Sequence, residues 1–252
     1  MDQVIAILQA RMHSERLPGK ILADLAGKPL ISHVIERLQA TRGIDRVVLA
    51  VPEVEAAYLA EVIDDSGIEL VTGGVKDVLG RFYKAAKRFQ APFYVRATGD
   101  NPLIDPGMLA RCITECKTGF WDMVGAHGMP LGTSAEVFPA GLLDYLNIFG
   151  RLPHHREHVT TCLYEQEEDF RVKRLTPPRR LQAPEYRLTV DTREDLGLMN
   201  VIYDNLYEPG RIVDLEEAIK FLREYPDFAE INSHVRQRNW REESRRYSSA
   251  VA

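Results

Sequence analysis

The sequence predicts an α/β protein of three layers, helices on both faces of a mostly parallel mixed sheet. Two observations carry this. Short apolar runs rich in β-branched residues alternate with amphipathic stretches, the rhythm of strands joined by covering helices. The composition, 45% hydrophobic and 27% charged over 252 residues, is that of an ordinary globular chain long enough to bury a core without staples.

Taken in order, Val4 to Leu8, Arg46 to Val51, Ile68 to Val71 and Phe93 to Ala97 read as strands. Between them, Pro29 to Thr41, Glu53 to Asp65, Asp77 to Phe89 and Pro106 to Lys117 read as helices. The second half is less regular. It predicts a strand near Asp122 to Val124, an extended piece from Ala135 to Phe138 and a helix from His155 to Glu165. Strands at Phe170 to Leu175 and Tyr186 to Val190 follow, the latter leading into another helix. The proline-rich run from Pro177 to Pro184 reads as a surface loop or crossing arm, since proline restricts its neighbours and interrupts ladders. No internal repeat or low-complexity linker divides the chain.

A net charge of −5 argues against nucleic acid as the main partner, because a phosphate backbone rewards a basic surface. The local exception is Val235 to Arg246, with five arginines against two glutamates, which reads as a solvated terminal helix or tail. The first apolar run, Val4 to Leu8, is too short for a signal-peptide core or a membrane span, so a cytoplasmic protein is expected. Three cysteines cannot all pair with one another, and Cys112 and Cys116 have no further zinc ligands at a matching spacing; reduced thiols are expected.

In open α/β sheets the ligand sits outside the carboxyl ends of the strands, which directs attention to the loop after the first one. That loop, QARMHSERLPGK, carries Arg11, Arg16 and Lys20, with Pro18 and Gly19 shaping the approach to the lysine. Three cations on one short loop suit a polyphosphate; a solvated basic loop is the plainer account. The spacing is neither that of a P-loop nor that of a GxGxxG dinucleotide fingerprint.

Two aspartates each follow a strand: Asp100 after YVRATG and Asp191 after YRLTV. Parallel-sheet geometry would bring both to the edge where the basic loop lies, there to share a hard cation such as Mg2+ with a bound triphosphate. Taken singly, Asp100 is equally well a turn residue in GDNP, and Asp191 a residue ahead of a helix capped by Thr192 with Asp195 three later.

The string VIAILQARMHSERLPGKILADLAGKPLISHVIERL resembles the opening of cytidylyltransferases that activate acidic sugars, the acylneuraminate and KDO enzymes and their spore-coat-polysaccharide branch. TGDNPLID and VDTREDL resemble the family's two acidic segments, GGVKDVLGRFYKAAK its G(S/D)xxDVLxRYxxAA segment, and AEVF and REHVTTCLY its DVEVF and REHVTPY segments. The likeness runs to about Tyr207. It implies a Rossmann-like nucleotide-diphospho-sugar transferase (GT-A-like) fold and transfer of CMP from CTP to an acidic 2-keto sugar for surface polysaccharide or glycan synthesis.

It also implies site residues. Arg11 and Lys20 would hold the triphosphate, Leu8, Gln9 and Ala10 would line base and ribose, and Arg16 and Thr98 would belong to the same nucleotide site. Gly74 and Asp77 would belong to the nucleotide site, although Asp77 also reads as the N-cap of its helix. Asp100 and Asp191 would hold Mg2+, and Glu136, Arg156 and His158 would face the acceptor. The resemblance divides the chain into a transferase domain, 1–210, whose segment 126–185 forms the sugar side and a homodimer contact, and a helical extension with a polar tail, 211–252.

Departures exist. Gly99 and Asn101 lean toward the KDO enzymes, and MPLGTSAEVF places Ser134 where the family usually has an acidic residue, which implies a changed acceptor or lost activity. His154 and His158 stand four apart without a nearby third ligand, so zinc is not expected there. Other readings share the phosphate-handling residues: a nucleotidyltransferase with another NTP or a non-sugar acceptor such as a phosphonate, or a non-catalytic member of the fold. A glycosyltransferase of related fold is disfavoured because no Asp-x-Asp cluster is present.

Overall fold

A computed structural model describes residues 3–238. Its centre is a seven-stranded sheet in the order β5-β4-β1-β6-β8-β7-β9. Strands β1 (Val4–Gln9), β4 (Arg46–Pro52), β5 (Glu69–Gly73) and β6 (Phe93–Thr98) are mutually parallel. Strand β8 (Glu136–Pro139) runs antiparallel to both β6 and β7 (Met123–Ala126), and β9 (Val172–Leu175) runs parallel to β7. A separate two-stranded ribbon, β2 (Asp24–Leu25) with β3 (Lys28–Pro29), precedes the first helix.

Val4 to Leu8 of β1 and Val47 to Val51 of β4 are unbroken apolar runs because both faces of the sheet are covered. Val4, Ala6 and Leu8 of β1 enter one core with α1 (Leu30–Gln39), α2 (Ala56–Ile63), α4 (Pro106–Thr118), α8 (Arg193–Leu206) and α9 (Leu215–Glu224). Ile5 and Ile7 enter the other, against α3 (Val78–Phe89), α5 (Ala140–Phe149) and the turn joining α6 (Pro153–His158) to α7 (Thr161–Glu165). The three layers expected from the sequence are all present. The extension does not stand apart: Leu215, Ala218, Ile219 and Leu222 are fully buried in the first core, and α10 (Pro226–Ala229) follows. Arg37, almost wholly buried on α1, ties that helix to the segments leading into α4 and α9 by donating Nε to Ile104 O at 2.6 Å and Nη1 to Val213 O at 2.7 Å.

Three expectations are corrected. The single helix from His155 to Glu165 is two short helices, broken where Val159 takes φ 58°. That left-handed conformation is uncommon for a β-branched residue. Tyr186 to Val190 is extended but joins no ladder; it makes one bridge, Leu131 to Arg187, and Val190 N donates to Asp100 O at 2.8 Å. The run from Pro177 to Pro184 is not wholly superficial, for Leu181 and Ala183 are buried in the first core. The cysteines are free and buried as expected, and burial pushes the thiols of Cys112 and Cys116 up to about 12. The arginine-rich tail lies mostly outside the described residues.

Candidate active site

Strand β1 lies between β4 on one side and β6 on the other, so the loops leaving β1 and β6 diverge at the switch point of the sheet. Their approach is close. Gly99 N donates to Gln9 O at 2.8 Å, and a Cβ at Gly99 would stand 3.1 Å from Ala10 Cβ and 3.3 Å from Gln9 O. Only glycine lets the two loops meet without displacement, so Leu8, Gln9 and Ala10 lie directly beside Thr98 and Asp100.

The basic loop is held in shape by its own backbone. Gly19 takes φ 74° and donates to Met12 O at 2.8 Å, a turn that delivers Lys20 into the floor of the cleft. Glu55, nearly buried, clamps the far side: Met12 N donates to Oε2 at 2.7 Å, and His13 Nδ1 lies 2.6 Å from Oε1.

Lys20 is the hub. Its Nζ donates to Asp100 Oδ2 at 2.6 Å and to Asp191 Oδ1 at 2.8 Å. Burial alone would lower its pKa, but the two carboxylates more than offset that and hold it above the ordinary lysine value. Asp191 also meets Arg16 Nη2 at 3.0 Å and Arg187 Nη2 at 2.8 Å through Oδ2. Burial works against its charge, yet Lys20, Arg16 and Arg187 together keep it below the usual carboxylate range. The two aspartates expected to converge therefore do so, although Asp191 arrives on a single bridged segment rather than on a sheet strand.

Sequence reasoning missed how Asp191 is fixed. Arg187 reaches Asp195 Oδ1 through Nε at 2.8 Å while its Nη2 holds Asp191. Asp195 in turn accepts the backbone N–H groups of Asp191 and Thr192, each at 3.0 Å, and the Asn232 side-chain amide at 2.9 Å. The capping pattern was visible in the sequence. That the cap also locks the Asp191 carboxylate was not, because Arg187 and Asn232 carry no local motif.

A second group lies along the same edge. Arg156 Nε donates to Asp77 Oδ1 at 2.7 Å, Arg11 Nη1 to Glu157 Oε1 at 3.1 Å, and Asp77 also accepts Gly80 N at 2.9 Å as the helix cap. Residues expected on the base side and on the sugar side are thus directly joined. Buried Arg81 backs the loop, donating Nη1 to Gly74 O at 2.6 Å and to Val75 O at 3.1 Å. Desolvation first, and then the nearby charge of Arg11, lower its pKa to about 10.

Glu136 is engaged on all sides. Arg96 Nη1 and Thr160 Oγ1 each donate to Oε2 at 3.0 Å, and Tyr164 OH donates to Oε1 at 2.6 Å. Arg96 Nε also reaches Gln9 Oε1 at 3.3 Å, linking this group to the end of β1. Burial, and then the Glu136 carboxylate, push the Tyr164 hydroxyl well above its ordinary pKa, so it stays protonated as a donor. His158 is half-buried at the end of α6.

The MPLGTS departure is a packed turn. Gly132 takes φ 91°, and a Cβ there would lie 2.7 Å from Thr189; Thr133 is fully buried and accepts Asp105 N through its carbonyl at 2.9 Å.

Basic side chains paired with carboxylates at the switch point of an open α/β sheet lie where such folds bind their ligands. The chain belongs to the cytidylyltransferase family, whose profile matches residues 5–232. It is 33% identical to the Bacillus subtilis spore coat polysaccharide biosynthesis protein SpsF, over 91% of this chain and 98% of that protein. Its fold matches a cytidylyltransferase from Leptospira borgpetersenii with a TM-score of 0.83 at 26% identity, covering 90% of this chain and 96% of the other. A 3-deoxy-manno-octulosonate cytidylyltransferase from Anaeromyxobacter dehalogenans is 39% identical over 47% of this chain and 49% of its own length. More distant structures, each 16% identical, share the fold. A CMP-2-keto-3-deoxy-manno-octonic acid synthetase solved with CTP has a TM-score of 0.61, and a Mycobacterium tuberculosis protein solved with manganese has 0.59. Among the described residues no helix is long and apolar enough to cross a membrane.

Proposed function

We propose that the chain transfers CMP from CTP to an acidic 2-keto sugar, sialic-acid-like or KDO-like, releasing pyrophosphate. The observation that carries it is the convergence of Lys20 and Arg16 on Asp100 and Asp191 at the carboxyl edge of β1 and β6. The manganese-bound structure of similar fold, the CTP-bound synthetase and the curated relatives all support this reading.

Asp100 and Asp191 fit a hard divalent cation. Their carboxylate oxygens already face one shared cation, the Lys20 ammonium, at 2.6 and 2.8 Å, and oxygen ligands in small number suit Mg2+ completed by water and phosphate. When bound there, Mg2+ would neutralise charge on the triphosphate and orient its α-phosphate. Lys20 and Arg16 would exchange carboxylate for phosphate oxygens and stabilise the leaving pyrophosphate, with Arg11 at the outer edge. Leu8, Gln9, Ala10 and Thr98 would line the nucleoside, and the loop at Gly74, braced by Arg81, would face the base. Arg156, His158 and the Glu136 network would form the acceptor wall, where a guanidinium suits a substrate carboxylate.

The test is pyrophosphate release with each NTP, magnesium and a panel of 2-keto acid sugars. CTP-dependent release with at least one such acid is expected. Turnover with another NTP, or only with a non-sugar acceptor such as a phosphonate, would overturn the reading.

A further inference from the structure

The helix break at Val159 places three metal-ligating side chains together away from the aspartates. His154 and His155, both buried at the start of α6, aim their Nε2 atoms at the two oxygens of Glu165, the last residue of α7. The distances are 2.7 Å to Oε1 and 2.6 Å to Oε2, and the ligand atoms of all three residues lie within 4.8 Å of one another. The pair His154 and His158 offers no third ligand by spacing. The fold supplies it through the adjacent histidine and a glutamate from the next helix.

We infer that His154, His155 and Glu165 form a site for a borderline divalent transition cation, Zn2+ being the best match. Two imidazole nitrogens and one carboxylate, with a fourth position open to water from the exposed side of Glu165, are a common donor set for this ion. Tetrahedral ligands about 2.0–2.2 Å from zinc stand about 3.4 Å apart, so the present contacts need to open by less than 1 Å, roughly one rotamer adjustment.

The protons balance. An ionised carboxylate only accepts, so each Nε2 carries the proton in the metal-free form. On coordination Nε2 presents its lone pair, and the proton passes through solvent to Nδ1 or is released where the imidazole was charged. For His155 this sacrifices the 3.4 Å contact in which Nδ1 accepts from Leu152 N, a bond already at the limit of length.

The consequence reaches the cleft. Arg156 and Glu157, the next two residues of α6, contact Asp77 and Arg11, so a cation pinning α6 to α7 braces the acceptor wall. It does so across a junction that holds Val159 at positive φ.

The experiment uses chelator-treated full-length protein carrying Asp100→Asn and Asp191→Asn, which removes the carboxylates of the transfer site. Equilibrium dialysis with ZnCl2 and the visible spectrum of the Co2+ form are read in this parent and after adding His154→Gln, His155→Gln or Glu165→Gln. One Zn2+ per chain, an intense tetrahedral Co2+ band and a zinc-dependent rise in melting temperature are expected in the parent. Each further substitution should weaken Zn2+ binding by about 100-fold or more. If the histidine variants fail to fold, Glu165→Gln decides, because its side chain is 30% exposed and isosteric replacement leaves the packing in place. Absence of stoichiometric Zn2+ in the folded parent, or unchanged binding in folded Glu165→Gln, overturns the inference.

Discussion

Replacing Asp100 or Asp191 by Asn separates the structural work of these carboxylates from the catalytic work proposed for them. Asp191 is the more embedded, meeting Lys20, Arg16 and Arg187 at 2.8, 3.0 and 2.8 Å. Its neutralisation orphans no buried cation: Lys20 keeps Asp100, Arg187 keeps Asp195, and Arg16 has 25% of its side chain exposed to water. The folding cost should therefore be about 1–3 kcal/mol, below the roughly 3–5 kcal/mol of an uncompensated buried charge. Among the described residues Asp100 pairs with Lys20 alone of the cations and is 24% exposed, so its replacement should cost about 1 kcal/mol. Turnover behaves differently. Losing an anionic ligand for the cation that orients a triphosphate should slow transfer by about 100-fold or more, or about 2.7 kcal/mol. Since the two residues would serve one cation, the double variant should be little slower than either single. Pyrophosphate release across a magnesium titration, with denaturant unfolding in parallel, measures both effects. A folded Asn variant within about threefold of the parent rate at limiting magnesium would refute the shared cation.

Three further outcomes follow from the same contacts. The raised pKa of Lys20 means its stabilisation is present below the ordinary lysine pKa of about 10.4 and lost as pH rises through the folded value. The depressed pKa of Asp191 means its share is present above about 3.9 and lost as pH falls through the folded value. Melting temperatures should accordingly fall on the alkaline side for the parent and fall less steeply for Lys20→Met; parallel profiles would show that the ion pairs carry no such linkage. Arg37→Met leaves the carbonyls of Ile104 and Val213 without their buried donor and should cost about 3 kcal/mol, a drop of about 6–12 °C in a domain this size, read by calorimetry. A change under 2 °C or so would show that the extension docks without it. Finally, Ile148, Phe149 and Leu152 are more than half exposed within the segment expected to pair two chains, so light scattering should report a homodimer at micromolar concentration, and a monomer would reject that contact.

The parallel half of the fold was legible because β1 and β4 carry unbroken apolar runs and the strands alternate with amphipathic helices. β1, β4, β5, β6, the three helices between them and α4 after β6 fall within a few residues of the sequence reading. The later half was less so, for reasons visible in particular residues. Val159 breaks a run whose helical pattern continues on both sides, and the break depends on a backbone angle that valine does not advertise. Tyr186 to Val190 has the β-branched content of a strand, but its partners are an isolated turn at Leu131 and the carbonyl of Asp100. In the site, Asp100 could be named because it follows a strand at the sheet's carboxyl edge, Asp191 because a strand-like run leads into it, and Lys20 because the loop after β1 gathers cations in a pattern the family shares. Glu55, Arg187 and Asn232 could not, since their roles arise from contacts across 37 or more residues, apart from the Arg187 pairs with Asp191 and Asp195.

The electrostatics of the cleft argue for how such a site stays stable while waiting for ligand. Lys20, Arg16 and Arg187 stand against Asp100, Asp191 and Asp195, a balanced set in which every charge has an opposite neighbour within 3.1 Å. A cluster of buried cations alone would bind phosphate tightly but would repel itself in the free protein. Paired carboxylates alone would face the same cost in the opposite sign. Interleaving them lets each group desolvate against its neighbour, and on the proposed function the arrival of a polyphosphate with a divalent cation would be an exchange of partners: cationic side chains to phosphate, carboxylates to metal. Arg187 is the exception that keeps the exchange orderly. Gripped by Asp195 and backed by Asn232, it would stay with the protein and hold Asp191 in place while Lys20 and Arg16 turned to the ligand.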